Sequence, residues 1–236
     1  MPDDARWIVW LLAIAAEAIY FARPRTVKAM LEWGPDDHHL VERFGIFTII
    51  VLGEAFVKIL DDAQGTSLGL DQIVMGIVIV VLLFNLWFLH FSDAADEVYG
   101  LDKTFKPLVW AYGHLFLAAA LVMFGVASKK VFSQNIEDAT KALKDETRLL
   151  LTAALVIFYL AEALINVGLN HDATAHNHKL RIVVYLGGAT VAAVIGLAVT
   201  GLTSVLFTGL LTIVSLVVVG RSVAEQKQQS QVLVDP

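Results

Sequence analysis

Residues 182–219 read IVVYLGGATVAAVIGLAVTGLTSVLFTGLLTIVSLVVV and contain no charged side chain. An α-helix rises about 1.5 Å per residue and needs about 20 apolar residues to cross the hydrocarbon core of a bilayer. This stretch is nearly twice that length, so two crossings joined by a tight hairpin at Thr200, Gly201 and Leu202 are favoured over one long helix kinked at Gly201. It therefore predicts a helical hairpin inside a membrane.

Five further apolar runs of comparable length precede this hairpin. The composition agrees, because 57% of the 236 residues are hydrophobic, 17% are charged, and the mean hydropathy is +0.69. The sequence thus predicts an all-α, polytopic transmembrane bundle with about seven helices. The predicted spans are 7–21, 41–60, 73–91, 108–126, 149–169, 182–199 and 203–219.

Several functional classes are disfavoured by composition and motif. A net charge of −6 without a basic stripe excludes a nucleic-acid binder. The chain has no cysteine, which removes disulfides, cysteine zinc sites and thiol nucleophiles. No HExxH pair, nucleophile elbow or phosphate loop occurs, and the last helix lacks the lysine of retinal proteins. We therefore predict no enzyme activity, no cofactor and no metal site.

The polar segments suggest one transmembrane domain over residues 1–225 followed by a short tail. Residues 127–148 place Phe132, Ile136 and Leu143 at helical spacing within a charged segment, which predicts an interfacial helix near 131–148. A solvated loop leading into the fifth helix is the alternative. Residues 226–236 are glutamine-rich and polar, so a disordered tail is expected.

The distribution of lysine and arginine gives an orientation. With seven crossings the termini lie on opposite sides, and the side that holds the C-terminus carries ten of these residues against seven on the other side. The positive-inside rule then places the N-terminus outside and the C-terminus in the cytosol, within the cell membrane.

Ionisable residues inside membrane helices cost several kcal/mol, so each one suggests a function. Most of those found here fall in the helix halves that face the C-terminal side, which predicts a polar vestibule opening there, with Glu54 as its deepest acidic group. The predicted polar pathway consists of Glu17, Glu42, Arg43, Glu54, Lys58, His90, His114 and Glu162.

A structural role competes with this hypothesis at several positions. Glu54 and Lys58 are four residues apart, glutamate first, which suits an intrahelical ion pair. Glu42 and Arg43 are also placed to anchor a helix among headgroups. His114 has the alternative of a packed, hydrogen-bonded core histidine. The depth of Glu54 in the second helix predicts that its side chain is buried and that it matters most for function among the pathway residues.

One local pattern recurs in three helices: Ala16-Glu17-Ala18, Gly53-Glu54-Ala55 and Ala161-Glu162-Ala163. Small residues beside a glutamate let a neighbouring helix approach closely, which hides the carboxyl group from lipid. The pattern predicts that all three glutamates are buried between helices, unless it recurs by chance in an alanine-rich chain.

The string HLVERFGIFTIIVLGE at residues 39–54 resembles the signature of the low-temperature-requirement A (LtrA) family of bacterial membrane proteins. That signature is a histidine, Glu-Arg-Phe-Gly, an apolar run and Gly-Glu. Residues 112–115 and 125–127, the aromatic run 84–91 and the acidic Glu17 are also similar to the family. The signature positions here are His39, Glu42, Arg43, Phe44, Gly45, Gly53 and Glu54.

The chain resembles only the later part of family members, which are usually longer and carry an earlier Glu-Leu-Phe-Phe-Asp-Leu-Val-Phe motif. We therefore expect either a short member that completes itself by association or a fragment. The expected partners are the lipid bilayer and either further copies of the chain or a second helix bundle. The family name implies a link with growth at low temperature and gives no mechanism.

Two functional hypotheses follow from these residues. The first is a protein that moves a small solute or ion, because transport pathways need costly polar groups and lipid-facing surfaces do not. The second is a non-transporting scaffold or partner subunit, in which the same groups hold helices together. Convergence of Glu17, Glu54, His114 and Glu162 on one cavity would favour the first.

Overall fold

The computed structural model describes residues 6–21, 23–26, 37–63, 68–94, 106–168 and 175–234, which are almost entirely helical. This confirms the predicted all-α bundle. The long helices are α1 (Arg6–Phe21), α2 (Asp37–Ala63), α3 (Leu70–Ala94), α4 (Lys106–Glu137), α5 (Asp145–Gly168), α6 (Ala175–Ala198) and α7 (Ser204–Val234).

Five of these helices, α3 to α7, are long and apolar enough to cross a membrane. The apolar part of α1, Ile8–Phe21, is shorter. Helix α2 is long but carries Arg43, Glu54 and Lys58 within its apolar stretch. A multi-pass membrane protein is therefore established, whereas crossings by α1 and α2 stay a prediction.

Of the five membrane-capable helices, α5 is the most buried. It packs along α4 on one side and α6 on the other, while α2 packs on α4 and α3 packs on α7. Its large side chains Leu155, Phe158 and Tyr159 are fully buried. Its buried residues include the small side chains Ala154, Ala161 and Ala163, which let neighbouring helices approach closely.

Two glycines set the short distance between α4 and α5. A Cβ atom at Gly168 would lie 2.8 Å from the backbone nitrogen of Trp110, and one at Gly113 would lie 3.2 Å from that of Ile165. Backbone cannot move aside as a flexible side chain can. The two helices therefore approach this closely only because both positions lack a side chain.

The charged segment after the fourth apolar run does not form a separate interfacial helix. Helix α4 continues to Glu137, a turn follows, and α5 begins at Asp145. The side chain of Gln134 closes this turn, since its Nε2 donates to Ala142 O (2.9 Å) and its Oε1 accepts from Lys144 N (3.1 Å). Phe132 and Leu143, the apolar residues that suggested a membrane surface, are buried in the bundle.

The predicted hairpin between the last two helices is present. Helix α6 ends at Ala198, α7 begins at Ser204, and Gly201 turns the chain with a φ of +80°. That left-handed conformation costs glycine nothing and most other residues 1–2 kcal/mol, roughly. The hairpin is tied to the α4–α5 turn by a hydrogen bond from Leu143 N to Leu202 O (2.8 Å).

Arg148, which the orientation argument treats as a surface charge, is instead buried at the end of α6. Its Nη1 donates to the carbonyl oxygens of Gly196 (2.8 Å) and Val199 (3.2 Å), and its Nη2 pairs with Asp145 (2.9 Å). The guanidinium group thereby satisfies carbonyls that a helix leaves open at its C-terminus.

The glutamine-rich tail also differs from expectation. Helix α7 continues through Gln226 to Val234, so this segment is helical where its polarity predicts disorder. Glutamine, lysine and glutamate have high helix propensity, which allows the helix to extend beyond its apolar part.

Candidate functional site

The most deeply buried ionisable pair in the described residues joins α3 to α5. His90 Nδ1 and Glu162 Oε1 share a hydrogen bond of 3.0 Å, and their side chains are only 3% and 2% exposed. The backbones of α3 and α5 do not pack directly on each other, so the two side chains bridge the interior. Both residues belong to the predicted polar pathway.

His114 of α4 completes what we call the histidine–glutamate cluster, namely His90, His114 and Glu162. The two imidazole rings lie 5.6 Å apart between centroids, and His114 is 6% exposed. His114 Nδ1 donates to Trp110 O (2.9 Å). Because a carbonyl only accepts, Nδ1 must carry the hydrogen, and in the neutral ring Nε2 remains an acceptor.

Aromatic side chains wall this cluster. Phe44 and Trp110 lie 4.8 Å and 4.2 Å from His114, and Phe91 lies 4.9 Å from His90, measured between ring centroids. Phe44 and Trp110 also meet edge to face at 5.0 Å. Such apolar walls lower the local dielectric constant, which strengthens every charge interaction inside them.

Two amides add buried polar groups to the same helices. Asn166 Nδ2 donates to the backbone oxygen of Glu162 (2.9 Å), one helical turn away on α5. Asn166 Oδ1 and, on α3, Asn85 Nδ2 are buried without a hydrogen-bond partner in the described part of the chain. Asn166 was not among the predicted site residues, although its spacing of four from Glu162 places it on the same face.

Glu54 lies elsewhere, and the prediction that it is buried is wrong. Its side chain is 61% exposed and pairs with Lys58 at 3.6 Å. The adjacent Ala55 is the residue that faces α4. A Cβ atom added to Gly125 of α4 would lie 3.0 Å from both the Cα and the Cβ atom of Ala55. Successive residues on a helix point about 100° apart, so the contact that buries Ala55 turns Glu54 outward.

The remaining pathway residues do not join the cluster. Glu42 is exposed on α2 and pairs with His39 at 3.7 Å, and Arg43 is also exposed. Glu17 is exposed on α1, within electrostatic range of Tyr112 on α4. In the described residues the three glutamates flanked by small residues thus have different environments, and only Glu162 is buried.

Within the signature string, the apolar residues approach the cluster and the polar ones do not. Phe44 contacts His114, and a Cβ atom on Gly45 would lie 3.7 Å from Phe91. Gly53 faces open space. Phe44 and Gly45 therefore pack against the site, while the charged residues of the segment lie on the exposed side of α2.

The cluster is not arranged as a metal centre. Across the described ranges, no group of three or more His, Cys, Asp or Glu side chains is placed to hold a metal ion. The protonatable groups that it offers are one carboxyl group and two imidazoles.

Comparison with known proteins gives one match. A family model described as "Bacterial low temperature requirement A protein (LtrA)" matches residues 1–220. No curated protein and no solved structure is significantly similar to the chain. The matched range covers α1 to α6 and most of α7, far more than the quoted signature strings.

Proposed function

We propose that this chain, which belongs to the bacterial low temperature requirement A (LtrA) family, moves a small ion or solute across the membrane in a step linked to proton exchange at the His90–Glu162 pair. It is an integral membrane protein with several membrane-capable helices. The proposal is non-enzymatic, and it takes its support from the site and not from the family name.

The observation that carries the proposal is the burial of His90 and Glu162 in direct contact. Ionisable groups at membrane depth are costly and typically mark proton relays or ion pathways. A carboxyl group and an imidazole joined by one hydrogen bond can hold the shared proton on either partner without moving their heavy atoms. Such a pair switches between an ion pair and a neutral pair at small structural cost.

The neighbouring His114 extends this pair toward a third helix. Its Nδ1 is committed to Trp110 O, which leaves Nε2 as the nitrogen that takes up or releases a proton. Glu162, His90 and His114 thus form a short series of protonatable groups across α5, α3 and α4. Proton relays in pumps and transporters use the same residue types.

The test uses the full chain reconstituted in liposomes that contain a trapped pH indicator. A potassium gradient with valinomycin imposes the membrane potential that drives protons. We expect proton flux above that of protein-free liposomes, reduced at least about tenfold by Glu162→Gln. The matched control Glu54→Gln makes the same change at an exposed glutamate and should retain flux within about twofold.

Two outcomes would overturn the proposal. One is equal flux in the native protein and in Glu162→Gln, and the other is native flux no higher than that of protein-free liposomes. Thermal unfolding of each variant in detergent shows whether a lost flux reflects a lost fold.

The second candidate function is a non-transporting scaffold or partner subunit connected with growth at low temperature. The observation in its favour is that His90 and Glu162 satisfy each other, as polar residues that hold helices together do. Association with further copies or with a second helix bundle would be part of this role. Mass measurement in mild detergent tests it, and a stable monomer would count against it.

A further inference from the structure

At the end of the bundle remote from the histidine–glutamate cluster, an open groove of about 470 Å³ lies between α2, the end of α4 and the start of α5. Small-molecule sites in proteins have volumes of about 300–1,000 Å³. Four lysines line this groove: Lys58, Lys129, Lys130 and Lys144. They come from three separate segments of the chain, so only the folded bundle brings them together.

The groove is positive in a chain that is acidic overall. Four lysines against the two lining glutamates, Glu137 and Glu146, and against Glu54, which pairs with Lys58, leave a charge of +1 at the groove, whereas the whole chain carries −6. The ion pair between Lys144 and Glu137 is long, at 3.9 Å, and both side chains are about 70% exposed. Such a pair is weak enough for a stronger anion to replace the carboxylate.

Polarity changes along the α4 wall of the groove. Val126 lines the groove, and Val122, one turn deeper in the apolar run, is 47% exposed. Lys129, Lys130 and Ser133 follow toward the end of the helix. An apolar strip that ends in cations has the order of a phospholipid, with the acyl chain first and the phosphate after it.

We propose that this groove binds the phosphate of an anionic phospholipid, whose acyl chain lies along Val122 and Val126. The lysines supply the charge, and Ser133 supplies a hydroxyl group at the same level. A diester phosphate is the recognised chemistry, and the apolar strip selects the lipid over free phosphate. This inference is independent of the proposed proton-linked transport, because it uses none of the cluster residues.

The experiment measures lipid binding to the purified full chain in neutral detergent by native mass spectrometry. Phosphatidylglycerol is the probe, phosphatidylcholine is the zwitterionic comparison, and inorganic phosphate is added as competitor. We expect at least about fivefold tighter binding of phosphatidylglycerol than of phosphatidylcholine, with no displacement by millimolar phosphate.

The key variant is Lys129→Gln with Lys130→Gln, which removes two exposed cations from the groove. It should lower phosphatidylglycerol affinity at least about fivefold and leave phosphatidylcholine binding unchanged. The matched control, Lys141→Gln with Lys179→Gln, removes two exposed cations outside the groove and should change affinity less than about twofold.

Four results would overturn the inference. An equal loss of phosphatidylglycerol affinity in both double variants would show a general charge effect. Equal binding of the two lipids would show that the groove does not recognise the charge of the headgroup. Full displacement by inorganic phosphate would assign the groove to a soluble anion. Unfolding temperatures without lipid confirm that each variant is folded, so an unchanged affinity in the folded groove variant would also contradict the proposal.

Discussion

Glu54 and Glu162 have nearly the same local sequence and opposite environments. Each is preceded by a small residue, Gly53 or Ala161, and followed by alanine. Yet the Glu54 side chain is 61% exposed beside Lys58, whereas that of Glu162 is 2% exposed against His90. The difference comes from the position of the parent helix in the bundle and not from the residues beside each glutamate.

Helix α5 packs closely along both α4 and α6, and Ala161, Glu162 and Ala163 are all buried. Helix α2 has its principal contact with α4, so Ala55 is buried against Gly125 and Glu54 is not. A small residue thus permits a close approach but does not ensure one, since Gly53 faces open space. Whether a glutamate is enclosed depends on how closely helices pack on the side to which its side chain points.

The largest expected effect is the replacement Glu162→Leu. It leaves His90 as a buried polar group without its partner, which typically costs about 3–5 kcal/mol of unfolding free energy. Glu54→Leu should change this free energy by no more than about 1 kcal/mol, because exposed ion pairs contribute little. Unfolding in mixed detergent micelles measures both, and similar losses at the two positions would contradict the comparison.

A second test asks whether the loss at Glu162 comes from the broken pair. Adding His90→Leu to Glu162→Leu removes the unpaired imidazole, so about 2–3 kcal/mol of stability should return. The corresponding double change at Glu54 and Lys58 should show coupling below about 1 kcal/mol. Additive losses at His90 and Glu162 in the same unfolding assay would mean that the two residues act separately.

The small residues themselves provide a third test. Gly125→Ala places a Cβ atom 3.0 Å from Ala55, which should force α2 and α4 apart and cost about 1–2 kcal/mol. Gly53→Ala faces open space and should gain up to about 1 kcal/mol from helix propensity. The sign of the change in unfolding free energy is the measurement: a gain at Gly125 would refute the assigned contact between α2 and α4, and a loss at Gly53 would refute its open position.

The smallest expected effect concerns a third carboxyl group, at the water-facing turn between α4 and α5. Hydrogen bonds from Thr140 and the ammonium group of Lys141 lower the pKa of Asp138 from its ordinary value of 3.8. The ionised Asp138 therefore contributes to the unfolding free energy at pH values above its ordinary pKa, and this contribution is lost as the pH falls through the lowered pKa. Asp138→Asn should therefore slightly reduce the loss of unfolding free energy at acid pH, measured against the native protein.

The sequence by itself determined the class of this protein and most of its helices. Within a membrane, the backbone groups of a long uncharged run can form hydrogen bonds only inside their own helix. The sequence therefore predicted these helices without a structure, including the ends near Phe91, Leu108 and Ser204. The hairpin at Gly201 was also predictable, because an uncharged run of 38 residues exceeds one crossing and glycine permits the turn. The LtrA signature could also be recognised from the sequence, because it is a contiguous string at residues 39–54.

Burial of individual polar groups was decided by the tertiary structure alone. Helical spacing shows which residues share a face, and it placed Asn166 beside Glu162, but it does not show what covers that face. Glu162 is buried because α3 supplies His90 from 72 positions away, and Arg148 is buried because α6 ends where its guanidinium can reach. These contacts join segments far apart in the chain, and no local pattern of residues encodes which helix comes to lie beside another.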